Sequence, residues 1–308
     1  MTPAIRCAGL TKRFGTVLAV DSLDLEIRPG EVFGFLGPNG AGKTTTIGML
    51  VGLIPPTAGS AEIAGRSIRD GDNRRSIGYL PQEPALYGWM KGREFLDFTG
   101  ALFGLSREER GSRAGRLLGL LGLEEAAGRK LGGYSGGMKK RLALAAALMN
   151  DPEVLILDEP VNDLDPLGRR EVLEILGSLG AEKTVLMSTH VLADADRICD
   201  TVGIIHKGRL LVHSPIEELR NRFAQPTFVL EVEDGAGALA ERLKAAEWVA
   251  WVSADGRAVR FMASDAAAAR RETAAVVAGA GVSLVSWNSV TPSLEDIFVR
   301  LVSGEDAK

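Results

Sequence analysis

Residues Gly37 to Thr44 read GPNGAGKT, a fit to G-x-x-x-x-G-K-[ST]. The run Val32-Phe33-Gly34-Phe35-Leu36 before it is apolar and predicts a buried strand. The stretch Thr45-Thr46-Ile47-Gly48-Met49-Leu50 after it opens a helix. Strand, glycine-rich turn and helix in that order call for an α/β core. Gly37, Pro38, Asn39, Gly40, Ala41 and Gly42 form a turn in which the chain folds back. Backbone N–H groups and the positive end of the helix then face a common anion. Lys43 supplies a mobile charge for the β- and γ-phosphates of a nucleotide, and Thr44 a hydroxyl for Mg²⁺. A glycine-rich turn that merely caps a helix is the plainer alternative, and the two flanking elements weigh against it.

The remaining bulk properties mainly exclude. A length of 308 residues fits about two domains. Net charge is -4, so nothing in the bulk favours nucleic acid or an acidic lipid surface. Cys7 and Cys199 are far apart, with no metal-spaced partner, which fits a reducing compartment and gives no disulfide framework. No signal peptide is expected from the first residues, MTPAIRCAGL. The most apolar run, Leu142 to Met149, is far short of the ~20 residues of a membrane-spanning helix. Any membrane-embedded part would belong to another chain.

Along the chain, Ile5 to Leu10 and Leu23 to Ile27 alternate like half-buried antiparallel strands. Ala61 to Gly65 and Ile77 to Leu80 read as short strands, and residues 92 to about 126 as helix-rich. Val154 to Leu157, Thr184 to Met187 and Val202 to Ile205 are continuous apolar runs, the pattern of buried parallel strands. The character changes near Phe223 to Thr227. Strand (Phe228 to Glu233), helix (Ala238 to Ala246), a hairpin about Asp255-Gly256, helix (Ala266 to Ala278) and strand (Val282 to Trp287) then follow. A last helix covers Leu294 to Leu301. This β-α-β-β-α-β order predicts a small ferredoxin-like domain.

The strand Val154 to Leu157 runs into Asp158-Glu159. A strand buried on both faces delivers its last side chains to the crevice at the sheet edge. There Asp158 is placed to hold Mg²⁺ and Glu159 to polarise a water that attacks a γ-phosphate. Taken alone, the pair also reads as a strand end before a solvated turn. Three further elements have plain readings of their own. Ser135, with Gly136 and Gly137 in LGGYSGGMKKR, is a fair helix N-cap; Gln82 in YLPQEP a surface loop residue; His190 in MSTHVL a strand-end histidine.

Together, in this order, the motifs LTKRFG (Leu10 to Gly15), GPNGAGKT, YLPQ, YSGGMKKR, LILDEP, the segment through Leu164-Asp165-Pro166, and STHVL make residues 4 to 222 closely resemble the ATP-binding subunits of ABC transporters. The resemblance implies a P-loop ATPase fold: a mainly parallel sheet, an N-terminal antiparallel β subdomain and a helical subdomain over about 88–150. Domains 1–222 and 223–308 are expected, the second a small α+β extension. The resemblance further implies that Phe14 stacks on adenine. Gly37 to Thr44 and Thr45 hold the phosphates of ATP, and Thr44, Gln82 and Asp158 serve Mg²⁺. Gln82 also senses a membrane partner. Glu159 is the catalytic carboxylate and His190 touches the γ-phosphate, with Lys43 and Gln82 in the same reaction. Ser135, Gly136 and Gly137 form the signature turn, and Asp165 lies on the loop crossing a dimer interface. Two subunits, identical or related, would sandwich two ATP molecules and drive a separately encoded integral membrane subunit. The protein would then sit peripherally on the cytoplasmic face of the inner membrane. Tyr87, Trp89 and Met90 are candidate contacts to that subunit, with core packing as the alternative.

The chain departs from the family pattern in places. YSGGM replaces the usual LSGGQ, Asp163 stands where glycine is common, and Val161 replaces a frequent Thr. If position 163 needs a positive φ, Asp tolerates it better than most residues. The tail, ending in PSLEDIF (Pro292 to Phe298), resembles the C-terminal extension of exporter-type subunits tied to efflux of antibiotics, drugs, sodium or polysaccharides. Two other classes compete with the transporter reading. One is a soluble ABC ATPase acting on nucleic acid or ribosomes, but the chain shows neither the long insertions nor the second cassette usual there. The other is a non-catalytic clamp, against which stand Lys43, Glu159 and His190.

Overall fold

The computed structural model describes residues 2–223, 226–290 and 292–303. The chain divides into two compact units, Met1–Ile216 and Glu217–Lys308. The division falls at the head of a helix, Ile216–Phe223, and not at its end, where the sequence placed the boundary. The change of character expected across Phe223 to Thr227 includes Ala224 and Gln225, which lie outside the described residues.

The first unit opens with β1 (Ile5–Phe14) and β2 (Val17–Ile27), paired antiparallel as the alternation predicts. β4 (Ala58–Ile63) lies on the other side of β1, with the short β5 (Arg66–Ser67) beyond it. β4 begins and ends earlier than expected. Ala64 and Gly65 have φ 50° and 72°, so they turn the chain and cannot extend the strand.

A six-stranded sheet carries the site. Its order is β10 (Arg209–Pro215), β9 (Thr201–His206), β3 (Val32–Leu36), β8 (Thr184–Thr189), β7 (Val154–Asp158) and β6 (Ile77–Leu80). All neighbours are parallel except the edge strand β10. β3, β7 and β8 are buried along their whole length, the signature of a sheet covered on both faces. Alternate residues of β7 serve opposite cores. Val154 and Ile156 join the core beneath the antiparallel sheet, with Phe33, Phe35 and Ile47. Leu155 and Leu157 join the helical core, with Leu96, Leu118 and Leu144.

Helices α2 (Gly92–Leu102), α3 (Arg107–Leu120) and α4 (Gly136–Leu148) follow β6, and α5 (Pro166–Leu179) and α6 (Leu192–Ile198) follow β7 and β8. α3 starts at a capping box. Ser106 accepts from the Glu109 N–H, and Glu109 accepts from the Ser106 N–H. α4 presses directly on β6: a Cβ at Gly78 would stand 2.3 Å from the Ala147 carbonyl oxygen.

The second unit takes all of α7, the helix Ile216–Phe223, except its first residue. The unit holds β11 (Thr227–Val232), α8 (Ala236–Lys244), β12 (Val249–Asp255), β13 (Ala258–Ala263), α9 (Ala266–Ala280), β14 (Leu284–Val290) and α10 (Leu294–Ser303). The sheet order is β12-β13-β11-β14, all antiparallel, which is the ferredoxin-like arrangement the element order predicts. Its core is its own, centred on Phe228, Leu230, Leu239, Trp248 and Phe261.

Asp265 caps α9, accepting from the N–H groups of Ala267 and Ala268. These bonds hold its carboxyl below the usual value of 3.8. A carboxylate with a depressed folded pKa stabilises the fold above its unfolded pKa and stops doing so as pH falls through the folded value. Asp265→Ala is therefore expected to lower the denaturation midpoint of the second unit at neutral pH. The gap to the parent should close as the medium is acidified below about pH 4. Chemical denaturation followed by tryptophan fluorescence across that range checks it.

Candidate nucleotide site

The turn between β3 and α1 (Lys43–Leu50) is built by its glycines. Gly40 has φ 78° and Gly42 φ 112°. Space is as restrictive as conformation: a Cβ at Gly37 would lie 2.3 Å from the Ile205 carbonyl oxygen, and one at Gly42 2.6 Å from that of Ala19. Thr46 anchors the first turn of α1, its hydroxyl donating to the Gly42 carbonyl at 2.9 Å. Lys43 is buried and lies back across its own loop. Its Nζ donates to the carbonyls of Gly37 at 2.8 Å and Pro38 at 3.3 Å. Burial lowers its pKa, against the pull of Glu159 and then Asp158.

The carboxylates arrive from the end of β7. Asp158 and Glu159 are both buried. Ser188, on β8, ties them together. Its hydroxyl donates to Asp158 Oδ1 at 2.6 Å and accepts from the Glu159 N–H at 3.0 Å. Glu159 takes φ 49°, a left-handed backbone rare for such a residue, which turns its side chain off the strand line. Its Oε1 is 3.6 Å from Lys43 Nζ, and both its oxygens are 3.0 Å from His190 Nδ1.

A cleft of about 290 Å³ lies over this cluster. It is lined by Ala19, by Asn39, Gly40, Gly42, Lys43, Thr44 and Thr45 of the turn, and by Gln82 and Glu159. The structure thus brings the turn, Gln82, Asp158, Glu159 and His190 to one sheet edge. Gly37, Pro38 and Ala41 belong to the turn without lining the cleft.

Phe14, Ser135, Gly136, Gly137 and Asp165 are likewise not among the lining residues. Phe14 is 48% exposed, at the end of β1, with Lys12 Nζ 4.8 Å from its ring centre. Ser135 caps α4 by accepting from the Met138 N–H, and Asp165 caps α5 by accepting from the Gly168 N–H. The departures from the family pattern are absorbed locally. Tyr134 is buried, its hydroxyl donating to the Ala126 carbonyl at 2.7 Å. Asp163 does adopt a positive φ, 63°.

The donor set suits a hard divalent cation. Asp158 Oδ2 is buried and has no hydrogen-bond partner among the described residues, and the Thr44 side chain stands at the cleft. No group of three or more His, Cys, Asp or Glu that could hold a metal occurs among the described residues. Mg²⁺ needs no such cage, since it commonly takes one or two carboxylates together with substrate phosphates.

Sequence reasoning passed over two residues here. Ser188 shows only as a polar residue closing an apolar strand, two places before His190. Lys140 appears inside the KKR run with no sign that it is buried. Of the proposed surface contacts, Met90 is in the helical core, whereas Trp89 is 72% exposed and Tyr87 stands beside it.

Residues 20–162 match the family model described as ABC transporter, and residues 215–302 match the ATP-binding protein DrrA1-3-like, C-terminal domain. An uncharacterized ABC transporter ATP-binding protein, YxlF of Bacillus subtilis (strain 168), is 41% identical over 92% of this chain and 94% of its own length. The bacitracin transport ATP-binding protein BcrA of Bacillus licheniformis is 39% identical over 72% of this chain and 73% of its own. A Nod factor export ATP-binding protein I, from Cupriavidus metallidurans (strain ATCC 43123 / DSM 2839 / NBRC 102507 / CH34), is 41% identical over 71% and 73%. A solved dimeric post-hydrolysis state of an ATP-binding cassette, bound to ADP and Pi, aligns with TM-score 0.64 and 27% identity, over 69% of this chain and 98% of that one.

Proposed function

Because the chain belongs to the ATP-binding subunits of ABC transporters, we propose that its two separated sets of residues complete one another across a pair of copies, each ATP lying between one copy's cleft and the other's Ser135–Gly137 turn. The protein binds and hydrolyses ATP as the motor subunit of an exporter-type transporter. The observation that carries the pairing is the composition of the cleft. It holds Lys43, Thr44, Gln82 and Glu159, while the turns capped by Ser135 and Asp165 are not among its lining residues.

Each residue's part follows from its surroundings. Lys43 exchanges the Gly37 and Pro38 carbonyls for phosphate oxygens. Thr44 and Asp158 hold Mg²⁺, with Gln82 facing the same cleft. The ion, when bound, neutralises charge that develops on the transferred phosphoryl group. Glu159 orients and deprotonates the attacking water. His190 keeps Glu159 in place and reaches toward the γ-phosphate. Ser188 fixes the spacing of both carboxylates from one hydroxyl.

No helix among the described residues is long and apolar enough to cross a membrane. Transport therefore calls for a separate integral subunit, with this chain peripheral to it on the cytoplasmic face. Tyr87, Trp89, Phe98 and Leu102 form an exposed apolar surface on the helical side, suited to receive that subunit. Nothing in the matched families points to nucleic acid or ribosomes.

Co-purification with the membrane proteins encoded beside it tests this reading. A Tyr87→Ala/Trp89→Ala double variant is expected to recover about tenfold less of the membrane partner, with an unmoved melting transition, since exposed aromatic anchors carry much of such contacts. Recovery only with ribosomes or nucleic acid would defeat the proposal.

A further inference from the structure

Lys140 lies in α4, the helix that Ser135 caps, and its side chain is only 6% exposed. Its Nζ donates to the main-chain carbonyl of Gln82 at 2.6 Å. The charges felt there are all acidic: Asp163, Asp158, Glu159 and Glu83. An ammonium buried to this extent loses much of its hydration. Simple filling of the space would be met as well by methionine, so the charge calls for a reason. The reason offered by the geometry is the bond to Gln82. Gln82 lines the cleft, and its main-chain carbonyl is pinned to α4. The contact of Gly78 with Ala147 makes the seat of α4 on β6 rigid further along.

We propose that Lys140 is a positioning residue that couples the two ATP sites, holding Gln82 at the chain's own nucleotide from the helix whose first turn meets the other copy's nucleotide. This rests on the sandwich reading given above. A shift of the Ser135 end of α4 on pairing is then felt at Gln82 through one side chain. An exposed loop would otherwise take up that shift by bending.

The test uses the full chain with K140M, which keeps the bulk and loses the donor, and K140Q, which keeps a neutral donor. Hydrogen exchange of the amides from Leu80 to Glu83, without nucleotide, should be faster in K140M and intermediate in K140Q. In steady-state assays kcat should fall about tenfold in K140M with KM within about twofold, as for loss of one hydrogen bond to a charged group. Cooperativity in ATP should weaken, and K140Q should restore part of both. If K140M does not fold, K140Q alone decides by the same readouts. If the Glu159→Gln protein stays monomeric with ATP, the sandwich reading falls and the coupling with it. If it dimerises, while the Lys140 variants match the unaltered protein in exchange, kcat and cooperativity, the role of Lys140 alone is overturned.

Discussion

Glu159→Gln should bind ATP and fail to cut it, with kcat lowered about 10²- to 10⁴-fold, the range for loss of a general base. The substitution is nearly isosteric. The Glu159 N–H still donates to Ser188, and Asp158 keeps its own bond to the same hydroxyl. What is lost is the negative charge 3.6 Å from Lys43 and its capacity to take a proton from water. Uncut ATP should then hold two copies together, so size exclusion with Mg-ATP should show a stable dimer retaining nucleotide. Turnover at the parent rate would remove Glu159 from the role of base.

Gly42→Ala should weaken nucleotide binding about 100-fold and destabilise the fold. Two costs add at this position. The φ of 112° is one that L-residues rarely adopt, and the new Cβ would stand 2.6 Å from the Ala19 carbonyl, a backbone atom that cannot swing aside. Strain of this kind costs on the order of 1–3 kcal/mol and overpacking about as much again. Relief must come from moving the start of α1, which carries Lys43 and Thr44. A displaced loop that forfeits ~3 kcal/mol of phosphate contact binds about 100-fold more weakly. Gly40→Ala is the control. Its φ is 78°, but its Cβ would meet nothing within 4 Å, so only the strain applies and binding should survive in part. Calorimetric titration of ATP into the three proteins separates the two costs. Equal behaviour of the two variants would show that the Ala19 contact is irrelevant.

Much of this was legible in the sequence, for reasons tied to particular residues. Strands buried on both faces, such as Val154 to Leu157, announce themselves by unbroken apolar runs. The phosphate turn does so through its glycines, of which Gly37 and Gly42 leave no room for a Cβ. The ferredoxin-like order of the second unit followed from well-spaced strand and helix signals around Asp255-Gly256. β10 was missed because an edge strand exposes every other residue and its run RLLVHSP carries no clean alternation. Between membrane contact and core packing, the sequence leaves Met90 open, because a methionine beside Trp89 gives no sign of which way it points; the structure puts it in the helical core. Ser188 and Lys140 were passed over because their importance lies in contacts across the fold, to residues remote in the chain. No local pattern reports such pairings.

The posture of Lys43 has a consequence for the working cycle. Its ammonium bonds to two carbonyls of its own loop and faces an acid. An arriving phosphate swaps partners with the protein and does not satisfy a bare cation. The net gain on loading is thereby moderated, and the departure of spent product is eased by the same amount. A motor that must empty itself every stroke benefits from a hand that has somewhere to rest.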